Sequence, residues 1–284
     1  MNGMDKLLLV DGSNLLFQMF FGMPARIVNR NGKAIHGTMG FVGALLKIIR
    51  MTEPTHIAVL FDGEHENERV ALNADYKANR IDYGELPMEQ NPFAQLPDIY
   101  AALDYLKIRH AETTVCETDD WIAGYVNAYG KDIQIIISSF DSDYFQLITE
   151  NISVLRYRGV KTAVCTPEYI LNNLGILPAQ YADFKSLVGD TADNIRGADK
   201  IGPKTAVLLL KKYNTLENVI LNSESIESKH VRESIERNTE RLRINYKLIK
   251  LSGDVLLPFA LDELKLVDIK STTREVLKAI YLLP

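Results

Sequence analysis

The chain has 284 residues, of which 46% are hydrophobic and 24% are charged, and its formal net charge is −5. This composition is typical of a globular protein with one large domain and a smaller one. We find no apolar run of about 18 residues and no basic-apolar leader, so we expect neither a membrane span nor a signal peptide. Its two cysteines lack metal-binding spacing, which argues against a disulfide framework or a zinc site and favours a cytoplasmic protein.

Short apolar strands alternate with amphipathic helices in the first half of the chain. Strands are predicted at 6–10, 57–61, 113–116, 133–137 and 152–156. Helices are predicted between them at 38–51, 98–106, 119–129 and 143–149. Such alternation is typical of an α/β fold with a parallel central sheet and right-handed crossovers, and we assign it to residues 1–175.

A long polar segment separates the second predicted strand from the helix that follows it. Residues 64–97 contain Pro87, Pro92 and Pro97 and show neither strand nor helix periodicity. A connection of this length is unusual in a compact domain. Because long insertions beside strand ends commonly carry function, we predict a substrate-gating loop or arch here.

From residue 167 the apolar pattern becomes helical. Helices are predicted at 167–174, 178–188, 203–212, 215–222 and 228–251. A smaller helical domain over residues 176–284 is therefore expected after the sheet domain.

Nine acidic residues fall into five clusters, three of which follow predicted strands. The clusters are Asp11; Asp62; Glu117, Asp119 and Asp120; Asp141 and Asp143; and Asp190 and Asp193. In open parallel sheets the carboxyl ends of the strands form the site, so these acids are expected to converge. Carboxylates held at such short distances repel one another unless a cation neutralises their charge. This pattern predicts a site for two hard, oxygen-liganded ions, Mg²⁺ or Mn²⁺.

Each cluster taken alone has an ordinary structural explanation. Acids at the start of a helix, such as Glu117 and Asp119, favour its dipole and need no further role. Asp11-Gly12 and Asp62-Gly63 are also typical turn sequences. Five such coincidences, three of them at strand ends, favour the metal site over these explanations.

The segment around Gly202-Pro203-Lys204 suggests a helical hairpin. It superficially resembles a phosphate-binding P-loop, but Pro203 separates the glycine from the lysine and no strand precedes it. A helix–hairpin–helix would present the backbone N–H groups near Gly202 and the charge of Lys204 to a DNA phosphate. The alternative is a plain helical hairpin. Basic residues concentrated between 196 and 250 indicate either a phosphate-binding surface or a solvated, salt-bridged helix face.

Tyr76, Lys77 and Arg80 lie within the predicted arch. An exposed polar loop is the ordinary expectation for such a segment. Beside a metal site, Lys77 and Arg80 could stabilise charge on a scissile phosphate, and Tyr76 could stack on a base.

Together these motifs resemble those of the bacterial and phage 5′-nuclease (flap endonuclease) family, which includes the N-terminal domain of DNA polymerase I. The matching segments are Leu9–Asn14, Phe61–Gly63, Tyr76–Arg80, Glu117–Asp120, Asp141–Asp143, Gly189–Asn194 and Ile201–Thr205. The resemblance implies a PIN-like fold, a threading arch, two divalent metals and hydrolysis of branched or 5′-ended duplex DNA. It also implies a K⁺ ion near Ile201. With no polymerase domain following, the chain looks like a stand-alone form.

The resemblance implies a role for each acid. Asp11, Asp62, Glu117 and Asp119 would hold one metal, and Asp141, Asp143, Asp190 and Asp193 the other, with Asp120 between them. Lys200 departs from the family pattern, because a glycine is usual at that position of the hairpin.

Two other functions stay open from the sequence. A PIN-like ribonuclease would share the acids but normally lacks the hairpin and the long insertion. A non-catalytic DNA-junction binder would tolerate loss of the acids, whereas this chain keeps all nine. We expect a monomer, without membrane association, that acts on DNA at the nucleoid in replication and repair.

Overall fold

The computed structural model describes residues 5–63, 68–81, 83 and 86–284, and of Glu68 the backbone alone. Part of the predicted arch, namely residues 64–67, 82, 84 and 85, therefore lies outside the described residues.

A six-stranded sheet with the order β3-β2-β1-β4-β5-β6 forms the centre of the fold. Its strands are β1 (Lys6–Asp11), β2 (His56–Phe61), β3 (Arg109–Glu112), β4 (Gln134–Ser138), β5 (Ile152–Arg156) and β6 (Ala163–Cys165). The first five are parallel, and β6 pairs antiparallel with β5 at the edge. Leu7 to Val10 of the central strand are fully buried, because helices cover both faces of a parallel sheet. The predicted α/β fold is confirmed.

Eleven α-helices lie in the described part of the chain. They are α1 (Gly12–Gly22), α2 (His36–Thr52), α3 (Glu68–Leu72), α4 (Leu96–Tyr105), α5 (Thr118–Tyr129), α6 (Pro167–Leu174), α7 (Tyr181–Val188), α8 (Pro203–Tyr213), α9 (Leu216–Leu221), α10 (Lys229–Ile249) and α11 (Thr273–Ala279). Helices α1, α2, α4 and α11 pack on one face of the sheet, and α5 to α10 pack on the other. Each fully buried leucine or isoleucine in these layers contributes roughly 1.5–3 kcal/mol.

The third strand and two helices differ from the prediction. The strand predicted at 113–116 is wrong, because β3 ends at Glu112 and the following residues form a loop in which Val115 is 75% exposed. Strand propensity of the β-branched residues in that loop suggested the wrong segment, whereas the true edge strand is polar. Helix α1 was not predicted, and the helix predicted at 143–149 is a 3₁₀ helix, Asp143–Leu147.

The chain after α10 returns to the sheet domain. The indole N–H of Trp121 donates to the Leu256 carbonyl at 3.0 Å, and the Tyr125 hydroxyl donates to the Phe259 carbonyl at 3.0 Å. Helix α11 then packs against α2. The C-terminal segment thus covers α5, the helix that carries Asp119 and Asp120 in its first turn and Glu117 at its N-cap. The boundary expected at residue 175 stays a prediction. Within the described residues, every helix is too short or too polar to span a membrane.

Candidate metal centre

The carboxyl ends of the parallel strands open into a cleft of about 470 Å³. Five of the nine acids line this cleft: Asp11, Asp62, Glu117, Asp119 and Asp141. A second group, Asp143, Asp190 and Asp193, lies within 4.8 Å of one another. The backbone N–H of Asp143 donates to Asp141 Oδ1 at 2.8 Å, so the two groups adjoin. Asp120 does not line this cleft; it lines a separate pocket together with Glu117 and Arg69.

Asp11 has a structural and a chemical role. Its Oδ1 accepts from the Asn14 backbone N–H at 2.9 Å and caps α1, as an ordinary cap would. Its Oδ2 accepts from Ser139 Oγ at 2.9 Å and lies 3.3 Å from the Tyr144 hydroxyl oxygen. Burial, followed by the charge of Asp62, raises the pKa of Asp11 to about 7. Such a carboxyl group gains most from a nearby cation.

The first turn of α5 adds the next acids. Asp62 Oδ1 accepts from the Thr118 backbone N–H at 2.9 Å, which ties the end of β2 to this turn. Asp119 accepts from the Tyr144 hydroxyl, and its burial, followed by Asp141, raises its pKa well above the usual range. The buried Asp120 is instead paired with Arg69 at 2.8 Å.

The second group has a carboxylate oxygen without a partner. Asp143 Oδ1 is buried and has no hydrogen-bond partner among the described residues, and burial followed by Asp141 raises the Asp143 pKa to about 8. Lys185 Nζ lies 2.5 Å from Asp190 and supplies part of the missing positive charge. An all-oxygen set with an unsatisfied buried oxygen fits a hard divalent cation. The second group therefore fits a divalent ion chemically, and the acids of the first group offer oxygen ligands of the same kind.

Three cations of the predicted arch reach into this acidic region. Arg69 lies 2.5 Å from Glu117, and Lys77 also lies 2.5 Å from Glu117. Arg80 lies 2.8 Å from Asp193. Lys77 and Arg80 thus line the cleft, while the roles predicted for them on a phosphate stay predictions.

The structure contradicts the base-stacking role predicted for Tyr76. Base stacking needs an exposed ring, but Tyr76 is only 5% exposed and packs with Ala182, Ile195, Leu248 and Ile249. Its hydroxyl donates to Glu117 at 3.4 Å. The ring anchors the arch because its apolar surface is buried between the arch and the end of α10.

Two family models together match most of the chain. The 5′-3′ exonuclease N-terminal resolvase-like domain matches residues 6–175, and the 5′-3′ exonuclease C-terminal SAM fold matches residues 176–272. The chain belongs to the 5′-3′ exonuclease family. It is an enzyme of the 5′-3′ exonuclease type, as the resemblance of its motifs implied.

Relatives of this nuclease occur alone and inside larger polymerases. The chain is 32% identical over 265 residues to a 5′-3′ exonuclease of Aquifex aeolicus, covering 93% of this chain and 87% of that protein. It is also 32% identical to DNA polymerase I of Streptococcus pneumoniae, covering 91% of this chain and 30% of the polymerase. The chain therefore spans about a third of the polymerases that it matches.

Solved structures of phage T5 nucleases share the fold. A T5 5′-exonuclease with bound zinc ions superposes with a TM-score of 0.73 at 19% identity, covering 97% of this chain and 99% of that chain. The T5 flap endonuclease in a complex with DNA and metal ions gives a TM-score of 0.71 at 20% identity, covering 97% of this chain and 99% of that chain.

The turn of the predicted hairpin leads through Gly202 into α8, which begins at Pro203. Gly202 has an ordinary φ of −92°, and a Cβ there would meet no atom within 4 Å. Neither backbone conformation nor packing therefore requires a glycine at this position. Lys200 adopts a left-handed φ of 63°, which explains why glycine is usual there. Lys204 is exposed in the first turn of α8.

Some of the basic side chains between residues 196 and 250 form salt bridges and hydrogen bonds within the protein. Arg241 lies 3.7 Å from Asp199 and donates to the Gly197 carbonyl, while Arg243 pairs with Glu217 at 2.6 Å. For these two side chains the structure favours the salt-bridged helix face, one of the two explanations that the sequence left open.

Arg69 and Lys185 were missed from the sequence. Both contact predicted metal-binding acids, and both are largely buried, with side chains 11% and 16% exposed. Lys185 lies on the helix that leads into Asp190, so the short sequence separation could have indicated this contact. Arg69 is far from Glu117 in the sequence, and no local pattern indicates that contact.

Proposed function

We propose that the protein is a divalent-metal-dependent, structure-specific nuclease that hydrolyses phosphodiester bonds at DNA 5′ ends and flaps. The observation that carries the proposal is the pair of adjoining carboxylate groups at the strand ends, beneath an arch segment that brings Lys77 and Arg80 to the cleft. A related T5 flap endonuclease of the same fold binds DNA and metal ions, which supports this substrate class.

Each carboxylate group would hold one Mg²⁺ or Mn²⁺ ion. Asp11, Asp62, Glu117 and Asp119 would contribute to the first ion, Asp141, Asp143, Asp190 and Asp193 to the second, and Asp120 would act between them. When bound, two such ions activate water and stabilise charge on the attacking and leaving oxygens. The chain's own part is to orient the scissile phosphate and to exclude alternative positions for it. Lys77 and Arg80 would place positive charge on that phosphate.

The hairpin would hold duplex DNA away from the cleft. The open space at Gly202 would let a phosphate approach the N–H groups that begin α8, with Lys204 beside it. We also propose a K⁺ ion bound by backbone carbonyls near Ile201. Such an enzyme would act as a monomer in the cytoplasm, at the nucleoid.

A cleavage assay separates this function from a PIN-like ribonuclease and from a junction binder. A 5′-flap DNA duplex and its RNA counterpart would be incubated with Mg²⁺, with Mn²⁺ or with EDTA. We expect cleavage of the DNA flap only with a divalent metal, and a transition-state loss of several kcal/mol in Asp11→Asn. Asp262→Asn is the matched control, because this acid is 90% exposed and does not line the cleft. Preferential RNA cleavage, or binding without cleavage, would overturn the proposal.

A further inference from the structure

The base of the arch is joined to the loop that carries two of the acids. This arch–loop contact consists of residues 75–80 on one side and 190–194 on the other. The arch side carries Lys77 and Arg80, and the loop side carries Asp190 and Asp193. One short interface thus fixes the position of the two cleft cations relative to the second carboxylate group.

Two asparagines cross this interface in opposite directions. Asn194 Nδ2 donates to the Asp75 carbonyl at 2.8 Å, and Asn79 Nδ2 donates to the Thr191 carbonyl at 3.2 Å. Both bonds end on backbone, so they fix the path of the partner segment rather than one of its side chains. A reciprocal pair also resists sliding in either direction, because either shift breaks one bond.

Each side of the arch–loop contact has one residue in an unusual backbone conformation. Lys77 and Asn194 both have a φ of 57°, in the left-handed region. The Lys77 backbone N–H donates to the Asp193 carbonyl at 3.1 Å. A non-glycine residue in the left-handed region is strained, and it persists where surrounding contacts hold it. The asparagine bonds flank this donor and supply that restraint.

We infer that Asn79 and Asn194 are positioning residues that align the Lys77–Arg80 cations with the Asp190–Asp193 carboxylates. The inference rests on the proposed function, in which those four residues act on one phosphate and one metal. Neither asparagine lines the cleft, and both are exposed, so their loss removes alignment rather than a contact with the reacting atoms. Loss of residues that orient metal ligands typically costs 10- to 100-fold in metal affinity or activity.

The exposure of the asparagines makes the inference testable without unfolding the protein. One exposed hydrogen bond contributes only a small part of the free energy of unfolding, so single variants should fold. Asn79→Ala removes one donor. Asn194→Gly removes the other and still permits the left-handed backbone. Asn173→Ala is the matched control, because Asn173 is an exposed asparagine whose amide donates to the Tyr169 carbonyl at 2.8 Å, outside this interface.

Three measurements define the experiment on the full chain. Single-turnover cleavage of a 5′-flap DNA duplex in saturating Mg²⁺ gives the rate, Mn²⁺ titration followed by electron paramagnetic resonance gives metal affinity, and flap binding in Ca²⁺ gives DNA affinity. We expect each variant to lower the rate and to weaken Mn²⁺ binding by roughly tenfold or more, with DNA affinity changed by less than about twofold. Hydrogen exchange of the 75–80 segment should accelerate in the metal-free variants and not in the control.

The double variant adds a check on coupling. Because the two bonds support one interface, Asn79→Ala with Asn194→Gly should lose little more than the more severe single variant. Rates and Mn²⁺ affinities within about twofold of wild type would overturn the inference, and so would a rate loss explained by the unfolded fraction alone. If wild-type protein fails to cleave DNA, the proposed function is wrong, while hydrogen exchange and Mn²⁺ binding still test the alignment.

Discussion

Two buried acids should make the stability of the metal-free protein depend on pH. Burial is the main cause that raises the pKa of Asp11 to about 7 and that of Asp143 to about 8, each from 3.8. Above about pH 4 the unfolded chain has released protons that the folded chain still holds. The unfolding free energy should therefore fall as the pH rises toward these folded-state pKa values.

The size of the effect follows from the number of protons. Each such group removes about 1.4 kcal/mol of unfolding free energy per pH unit, so two groups remove up to about 5 kcal/mol between about pH 5 and pH 7. Asp119 and Asp141 have raised pKa values and act in the same direction. His36 acts in the opposite direction, because burial followed by Arg26 lowers its pKa from 6.5, and its contribution to stability grows as the pH rises toward that value. One group of this kind does not offset the acids.

Urea unfolding at a series of pH values, with EDTA or with Mg²⁺, measures this dependence. Mg²⁺ binds ionised carboxylates, so its stabilising effect should be larger at about pH 8 than at about pH 5. Asp11→Asn cannot titrate at that position and should lose a large part of the slope. A metal-free unfolding free energy that stays constant or increases from about pH 5 to pH 8 would refute the reasoning.

Four substitutions test other parts of the site. Asp193→Ala should reduce flap cleavage severely and leave flap affinity in Ca²⁺ nearly unchanged, and equal losses in both would indicate a structural role. Lys77→Ala should cost about 3 kcal/mol in the transition state with little change in melting temperature, as followed by single-turnover rates and thermal unfolding. Lys204→Ala should weaken DNA binding for all sequences and lower the salt dependence by about one ion, whereas an unchanged slope would place the DNA elsewhere. Lys200→Gly should raise the unfolding free energy by about 0.5 kcal/mol, because it relieves a left-handed φ of 63°, and a decrease in urea unfolding would contradict this.

Strands buried on both faces were predictable, and the polar edge strand was not. Continuous apolar runs mark β1, β2, β4 and β5, because helices cover the sheet on both sides. The sequence of β3, Arg-His-Ala-Glu, carries no such pattern, since an edge strand is only partly covered. Helix α1 begins directly after β1 with Gly12, Ser13 and Asn14 in its first turn, and these turn-forming residues concealed the start of the helix.

Proximity of the acids to the cleft was predictable, whereas their partners were not. Parallel strands place Asp11, Asp62 and Asp141 at one edge of the sheet whatever the packing elsewhere. Pairing of Glu117 with Arg69 and Lys77 depends on the path of the arch, for which the sequence carries no periodic signal. The burial of Tyr76 has the same origin, because it follows from docking of the arch against α10 rather than from local sequence.

Eight of the nine acids divide into two kinds by the way the protein balances their charge. Glu117, Asp120, Asp190 and Asp193 are each paired with a lysine or arginine. In contrast, Asp11, Asp119, Asp141 and Asp143 have raised pKa values and hold protons more tightly.

Metal binding must therefore displace protons from one set and compete with protein cations at the other. A cation that leaves Glu117 or Asp193 remains tethered beside the cleft, where a phosphate offers it another anion. Exchange of one anionic partner for another changes the local charge balance little, because the positive charge stays in place. Lys77 and Arg80 are thus suited both to neutralise the metal-free site and to bind substrate in the loaded one.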